Sequence, residues 1–312
     1  MTNTPSTEER VWAVISHLSA LAFGMGLLLP VIGWSEQRRK SKYAAFQCLQ
    51  ALGYQSLGYT VWLLSYLLLM VVFFCLILTV SVVSGDADPT GYAWLGGGMG
   101  IVLGILLVGG FGLYLLLPVI AAVSCAFGRD FRYPVLGNRL AHYLGYDPAS
   151  AADEPAGLVE EHEDRWVSAM GHVSVILPLW GLLAPLTAWI LQGSRSLFLK
   201  FQSAQTVAYQ GFVNVLYMGS GVISMFGFVV FVALTGFEGE PGGSSPAGMI
   251  GLVVMMLSML LTMLIVLIMP LLHILGQWAG YRVLKGDDYH YPAVGKWVDG
   301  LLSKKVTVES GK

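Results

Sequence analysis

Charge is what this chain lacks, and it lacks it in blocks. No Asp, Glu, Lys or Arg occurs between Tyr43 and Val83, from Gly91 to Gly128, from Phe201 to Phe237, or from Pro241 to Tyr281. Only 12% of residues are charged, against about 25% in an ordinary soluble domain. Uncharged apolar runs longer than about 18 residues mark membrane spans. The net charge of −2 comes with no basic domain, which excludes nucleic acid as a partner. Cysteine is scarce and odd in number: Cys48, Cys75 and Cys125, all within apolar runs and without paired spacing. That excludes a disulfide framework and a cysteine metal site, and leaves them as small buried hydrophobes. No acidic residue lies inside the apolar runs, which argues against a proton-relay pump. The sequence also has no zinc-binding His-Glu-x-x-His, nucleophile elbow or Walker loop; it therefore offers no catalytic, cofactor or metal residues. The first ten residues are polar, carry Glu8 and Glu9 and have no basic start, so no cleavable signal is expected.

What is present is a duplication. Phe46-Gln47-Cys48-Leu49-Gln50, continuing to Tyr54 and Gln55, recurs as Phe201-Gln202-Ser203-Ala204-Gln205 with Tyr209 and Gln210. At this offset of 155, Arg10–Gln55 and Arg165–Gln210 share 15 identities in 46 pairs, where chance gives roughly 3 at ordinary composition. The matches include His17/His172, Pro30/Pro185 and Trp34/Trp189, and Arg132-Tyr133-Pro134 aligns with His290-Tyr291-Pro292 at offset 158. Two homologous halves follow, residues 1–146 and 165–312. The Ala-, Pro- and acid-rich stretch at 147–164 reads as a solvated linker.

Each half holds three apolar segments: Val11–Trp34, Tyr43–Val83 and Tyr92–Phe127, then Trp166–Leu191, Phe201–Leu234 and Ala247–Tyr281. The second and third of each half exceed the roughly 20 residues of a span. The first is interrupted by Pro30, or by Pro178 and Pro185, and proline breaks or kinks helices. Charge arbitrates between a crossing and a re-entrant hairpin. The junctions run basic (Arg38, Arg39, Lys40, Lys42; Arg195, Lys200), then acidic (Asp86, Asp88; Glu238, Glu240), then basic (Arg129, Arg132, Arg139; Arg282, Lys285, Lys296). Cytoplasmic loops collect Lys and Arg, so an even number of crossings per half satisfies both halves, with both termini cytoplasmic. The rival is six crossings with inverted halves. The expected fold is an all-α polytopic membrane protein. Each half has a proline-broken first segment, two long membrane helices and an amphipathic tail. In the tails, Val294, Trp297, Val298, Leu301 and Leu302, or Leu136, Leu140, Tyr143 and Leu144, form an apolar stripe. It suits the membrane face or packing on the other half.

The candidate site is polar. Gln47 and Gln50 share a helix face, as do Gln202 and Gln205, with Gln55 and Gln210 farther along. Amides in a membrane helix need partners, because lipid offers none. They would line a polar path, grip another subunit, or hydrogen-bond within the fold. His17 and His172 occupy equivalent places, and no second ligand accompanies either; a hydrogen-bonded structural role is the simpler reading. Asp130, Asp287 and Asp288 read as helix-end and turn residues. Gly96, Gly100 and Gly104 have the spacing that lets helices approach closely, and read as internal packing.

His17-Leu18-Ser19, Pro30 with Trp34, Phe46-Gln47 and Gly128-Arg129-Asp130-Phe131-Arg132-Tyr133-Pro134, with their counterparts in the second half, resemble a bacterial family of small membrane proteins of unknown function. That family is related to the twenty-kilodalton protein-import component of the chloroplast inner envelope. Its members usually carry Asn before Phe-Gln, where this chain has Ala45 or Lys200. The resemblance implies no catalytic residues. It implies a multi-pass protein of a bacterial-type inner membrane, in contact with lipid and other membrane subunits. The expected function is a non-enzymatic scaffold or accessory subunit, with a polypeptide-translocation-like role as its finer form. A small channel or transporter is the alternative.

Overall fold

The computed structural model describes residues 4–84, 89–147, 157–236 and 245–310. The acidic junction residues Asp86, Asp88, Glu238 and Glu240, and half of the linker, lie outside them. The described residues are helical and form two compact units, Met1–Met170 and Gly171–Lys312. The chain is a polytopic all-α membrane protein built of tandem halves.

In the first unit, α1 (Thr7–Leu18) opens with a capping box, in which Ser6 and Glu9 satisfy each other's backbone amides. Short 3₁₀ turns follow over Ser19–Leu27, broken at Ala22 and Phe23, and α2 (Leu28–Gln37) then starts. Phe23 has φ 51°, a left-handed conformation that ends a helix. Pro30 sits in the first turn of the returning helix, where its missing N–H leaves no hydrogen bond unmade. The first segment is long and apolar enough to cross a membrane, yet its two ends meet. Gln37 Nε2 donates to Glu8 Oε1 at 2.8 Å, and Trp12 and Ser16 of α1 lie against Gly33 of α2. A straight 31-residue helix would hold its ends about 45 Å apart. The segment is therefore a hairpin.

Two long helices follow, α3 (Lys42–Ser84) and α4 (Pro89–Ala126). At 43 residues, α3 is about 64 Å long, twice the hydrocarbon core of a bilayer. Its first turns are buried by protein: Phe46, Leu49 and Leu52 are fully covered, whereas Leu64, Leu68 and Phe74 face outward, as they must in lipid. The basic junctions gather at one end. Arg10 Nη1 donates to the Ala126 carbonyl at 3.4 Å, and Tyr43 Oη to that of Arg129 at 3.2 Å.

The tail helix α5 (Leu136–Leu144) turns its stripe inward, with Leu140 and Leu144 buried. It packs on α3 of its own half, and its Tyr143 also stacks on His162. The helix α6 (Glu160–Val173) begins inside this first unit. Residues 160–164, read from sequence as the end of a solvated linker, are instead its first turns. Glu163 and Asp164 are buried there against Arg38, at 2.9 and 3.3 Å. The Trp34 indole donates to Glu163 Oε1 at 3.2 Å, and Trp166 fills the space beside Gly53 while donating to the Leu49 carbonyl. The acid-rich composition reflects these partners as well as solvation.

The second unit repeats the plan. Past the end of α6 come 3₁₀ turns at Ser174–Ile176 and Trp180–Leu182, with Leu179 at φ 65° between them, and then α7 (Leu183–Gln192). Gly171 of α6 faces Pro185 of α7. The long helices are α8 (Leu197–Thr235) and α9 (Pro246–Leu284), followed by the tail α10 (Val294–Ser310). Val298 is buried, while Trp297 and Leu301 of the predicted stripe remain exposed.

Two expectations need correction. The α4 glycines do not mediate internal packing: a methyl group added at Gly96, Gly100 or Gly104 would meet nothing within 4 Å. The opposing helix α3 diverges from that face. Of the cysteines, Cys48 and Cys125 are buried, but Cys75 is exposed, on the outward surface of α3.

Candidate functional site

The sequence-predicted residues converge in the first unit on one buried knot at the start of α3. Gln47 Nε2 donates to Asp130 Oδ1 at 2.9 Å and to the Phe131 carbonyl at 3.0 Å. Its Oε1 is thereby left to accept, and it takes Gln50 Nε2 at 3.1 Å and His17 Nε2 at 3.0 Å. The other imidazole nitrogen, Nδ1, lies 3.0 Å from Tyr133 Oη. With Nε2 protonated, a neutral ring accepts there from the phenol. Gln50 also donates to the Phe131 carbonyl at 3.0 Å, and its Oε1 accepts the Tyr133 N–H at 2.9 Å. Both amides spend both protons, so the knot is closed. His17, Gln47 and Gln50 are 0% exposed, depth at which any unpaired group would be costly. Gln55, two turns on, donates to the Ser16 carbonyl and to Ser19 Oγ at 3.1 and 3.0 Å, which fastens the hairpin tip.

Tyr54 completes the arrangement. Its ring stacks on Tyr133 with centroids 4.0 Å apart, and its hydroxyl donates to the Tyr114 carbonyl of α4 at 2.7 Å. The knot thus ties the hairpin, α3 and the loop after α4 together. Asp130 is the ionisable member that reaches solvent. Burial pushes its carboxyl above the ordinary value, while Arg132 at 3.3 Å and the hydrogen bonds from Tyr146 and Gln47 pull the other way.

The second unit has the same knot. Gln202 Nε2 donates to Asp288 Oδ1 at 2.7 Å and to the Tyr289 carbonyl at 3.1 Å. Gln205 Nε2 donates to Gln202 Oε1 and the Tyr289 carbonyl, each at 2.7 Å, and the Tyr291 N–H reaches Gln205 Oε1 at 3.2 Å. His172 lies 3.0 Å from Gln202 Oε1 through Nε2 and 3.0 Å from Tyr291 Oη through Nδ1. Gln210 donates to the Gly171 carbonyl at 2.7 Å, and Tyr209 stacks on Tyr291 at 3.9 Å while donating to the Leu272 carbonyl. One difference stands out: Thr206 places a hydroxyl 2.9 Å from His172 Nδ1, where the first copy has Ala51.

Every predicted site residue therefore joins one of two equivalent networks. Residue-by-residue reading missed Tyr133 and Tyr291, the phenols that close each knot. It also assigned Asp130 and Asp288 to turns without their glutamine partners. The signal was available in the duplication, since Tyr133/Tyr291 pair at offset 158 and Ser19/Ser174 at offset 155. Chemically the knots present no nucleophile aimed at a cavity and no acid–base pair open to a substrate. They hold backbone.

The chain thus carries two copies of one closed network, each built from the same positions of a tandem membrane repeat. No curated protein and no solved structure matches the chain. A family does, twice: residues 8–140 and 163–298 each match the magnetosome magnetite crystal formation protein family, and the chain belongs to it.

Proposed function

We propose that this protein is a non-enzymatic membrane scaffold or accessory subunit acting in magnetite crystal formation at the magnetosome. The observation that carries this reading is the consumption of every candidate polar residue inside the fold. A channel or transporter needs polar side chains facing an open path. Here the six candidate glutamines and both repeat histidines hydrogen-bond within their own unit, and the large cavity of the first unit is lined mainly by apolar side chains. What the protein offers outward is apolar helix surface for lipid and for other membrane proteins. A polypeptide-handling role rests on the sequence resemblance alone, and the family match lends it nothing. The basic junctions favour an orientation with both termini in the cytoplasm, two crossings per half and a hairpin that enters and leaves on the cytoplasmic side.

Affinity purification from native membranes in mild detergent, followed by mass spectrometry, tests the proposal alongside electron microscopy of cells lacking the protein. Other membrane proteins should be recovered with it, and the magnetite crystals should be altered in its absence. Recovery of the protein alone, together with unaltered crystals, sinks the reading.

A further inference from the structure

The two halves treat their long helices differently. In the second unit α8 and α9 are zipped along the membrane. Ser224 and Thr262 hydroxyls are 2.8 Å apart, Thr262 donates to the Ser220 carbonyl at 3.2 Å, and Ser258 sits against Gly227, which has room for no side chain. At the corresponding positions of the first unit, offsets 155 and 158 give Leu69 opposite Gly104 and Val72 opposite Gly100. The hydrogen-bonding pairs are gone, and the glycines touch nothing. Beyond the aromatic contacts of Tyr54, Tyr59 and Trp62 with Tyr114 and Phe111, α3 and α4 part. A cavity of about 710 Å³ opens between them, a size typical of small-molecule sites.

This cavity is polarised along its length. From Tyr54 to Leu69 it follows α3 for 15 residues, about 22 Å, which matches the depth of one leaflet with its headgroup region. Its deep end is hydrocarbon: Leu69, Leu106 and Leu107. Its other end lies at the basic face, where Pro134, Val135 and Arg139 of the loop and tail helix form the rim. Arg139 is exposed and has no ion-pair partner among the described residues. At the same end Tyr114 is 7% exposed, its ring 5.2 Å from that of Tyr59. An apolar slot one leaflet deep, with a free guanidinium at its mouth and a buried phenol below it, has the chemistry of an anionic phospholipid. We infer that the cleft between α3 and α4 is a binding site for one such lipid, its phosphate at Arg139 and an acyl chain along Leu106, Leu107 and Gly110 of α4. The second unit has Trp297 in place of Arg139, and its helices are joined by Ser224–Thr262 and Gly227–Ser258 contacts where α3 and α4 part, so one site per chain is expected.

Native mass spectrometry of the delipidated full-length protein, titrated with phosphatidylglycerol or phosphatidylcholine, tests the site. The wild type should retain one phosphatidylglycerol in preference to phosphatidylcholine. Arg139→Gln should weaken the phosphatidylglycerol adduct about fivefold, as loss of one interfacial cation predicts, and should weaken phosphatidylcholine, whose choline offsets its phosphate charge, by less. Leu113→Trp should fill the slot and remove the retained lipid of either kind. The same change at exposed Leu264 of α9 should not. Equal retention of both lipids by the wild type, or an Arg139→Gln variant that binds phosphatidylglycerol normally, overturns the assignment. So does a wild-type dimer that Leu113→Trp abolishes, since the slot would then belong to a second copy.

Discussion

The imidazole of His17 has two ring nitrogens and finds one partner for each, a phenol from a distant loop and an amide from a neighbouring helix. That economy sets the cost of disturbing it. Gln47→Leu would orphan His17 Nε2 and one Gln50 proton, and would take from Asp130 Oδ1 and the Phe131 carbonyl the amide that now donates to them, although the carbonyl keeps Gln50. Water reaches only the Asp130 edge. At about 1–3 kcal/mol for each buried group left unpaired, the variant should lose about 3 kcal/mol, read as a lower unfolding midpoint of the purified protein in detergent. Gln202→Leu should cost a similar amount, and the two should add, because the knots share no partner. Gln47→Leu combined with His17→Phe should cost less than the sum of its parts, since the imidazole that the first change orphans is then gone. Simple additivity in that pair would disprove the coupling. The glutamines and histidines of the knots were legible in the sequence, because polar groups in an apolar run demand partners. The partners were less so. Tyr133 is 116 residues from His17, and no local periodicity connects them; only the duplication carries that information.

At the scale of the element, the charge-free runs announced the long helices, and the junction charges announced the hairpins. In the second half the hairpin breaks beside Pro178, which the sequence had marked; in the first half the breaking point was hidden. Pro30 drew attention, but the chain turns seven residues earlier at Phe23, while Pro30 opens the return. The tip depends on a glycine that recurs in both halves at offset 155, Gly26 and Gly181. A methyl group on Gly26 would overlap the Ser19 carbonyl and crowd the Gln55 amide, and one on Gly181 would do the same to Ser174 and Gln210. Gly26→Ala and Gly181→Ala should each destabilise by about 1–3 kcal/mol through overpacking. Gly98→Ala in α4, where the added methyl meets open space, should instead be neutral or stabilise the helix by up to about 1 kcal/mol. Thermal unfolding of the three variants in one detergent distinguishes them. Equal losses at all three would mean that the α4 glycines are packed after all. Sequence spacing misled at that stripe because it records which helix face is small, and says nothing of whether another helix lies opposite.

For the whole molecule, family and fold divide the chain at different places. The second family match begins at residue 163, yet the first compact unit runs to Met170. The difference is the start of α6, which carries Glu163, Asp164 and Trp166 into contact with the first half. Arg38 is 6% exposed and Glu163 2%, so their pairing is sheltered from water. Loss of one partner from such a pair costs about 3–5 kcal/mol, because the other charge stays buried. The first half therefore depends on residues that belong, by ancestry, to the second. A chain ending at residue 146 should expose the Trp34 face and the space beside Gly53, and leave Arg38 without Glu163 and Asp164. A chain ending at residue 170 keeps all of these contacts. The longer form should unfold about 10 °C higher in the same detergent, the shift that several kcal/mol produces in a chain of this size. Glu163→Leu placed in the longer form should remove much of that advantage. If the two truncations melt together, the start of α6 merely rests on the first half, and the old boundary between the duplicated units is still the working one.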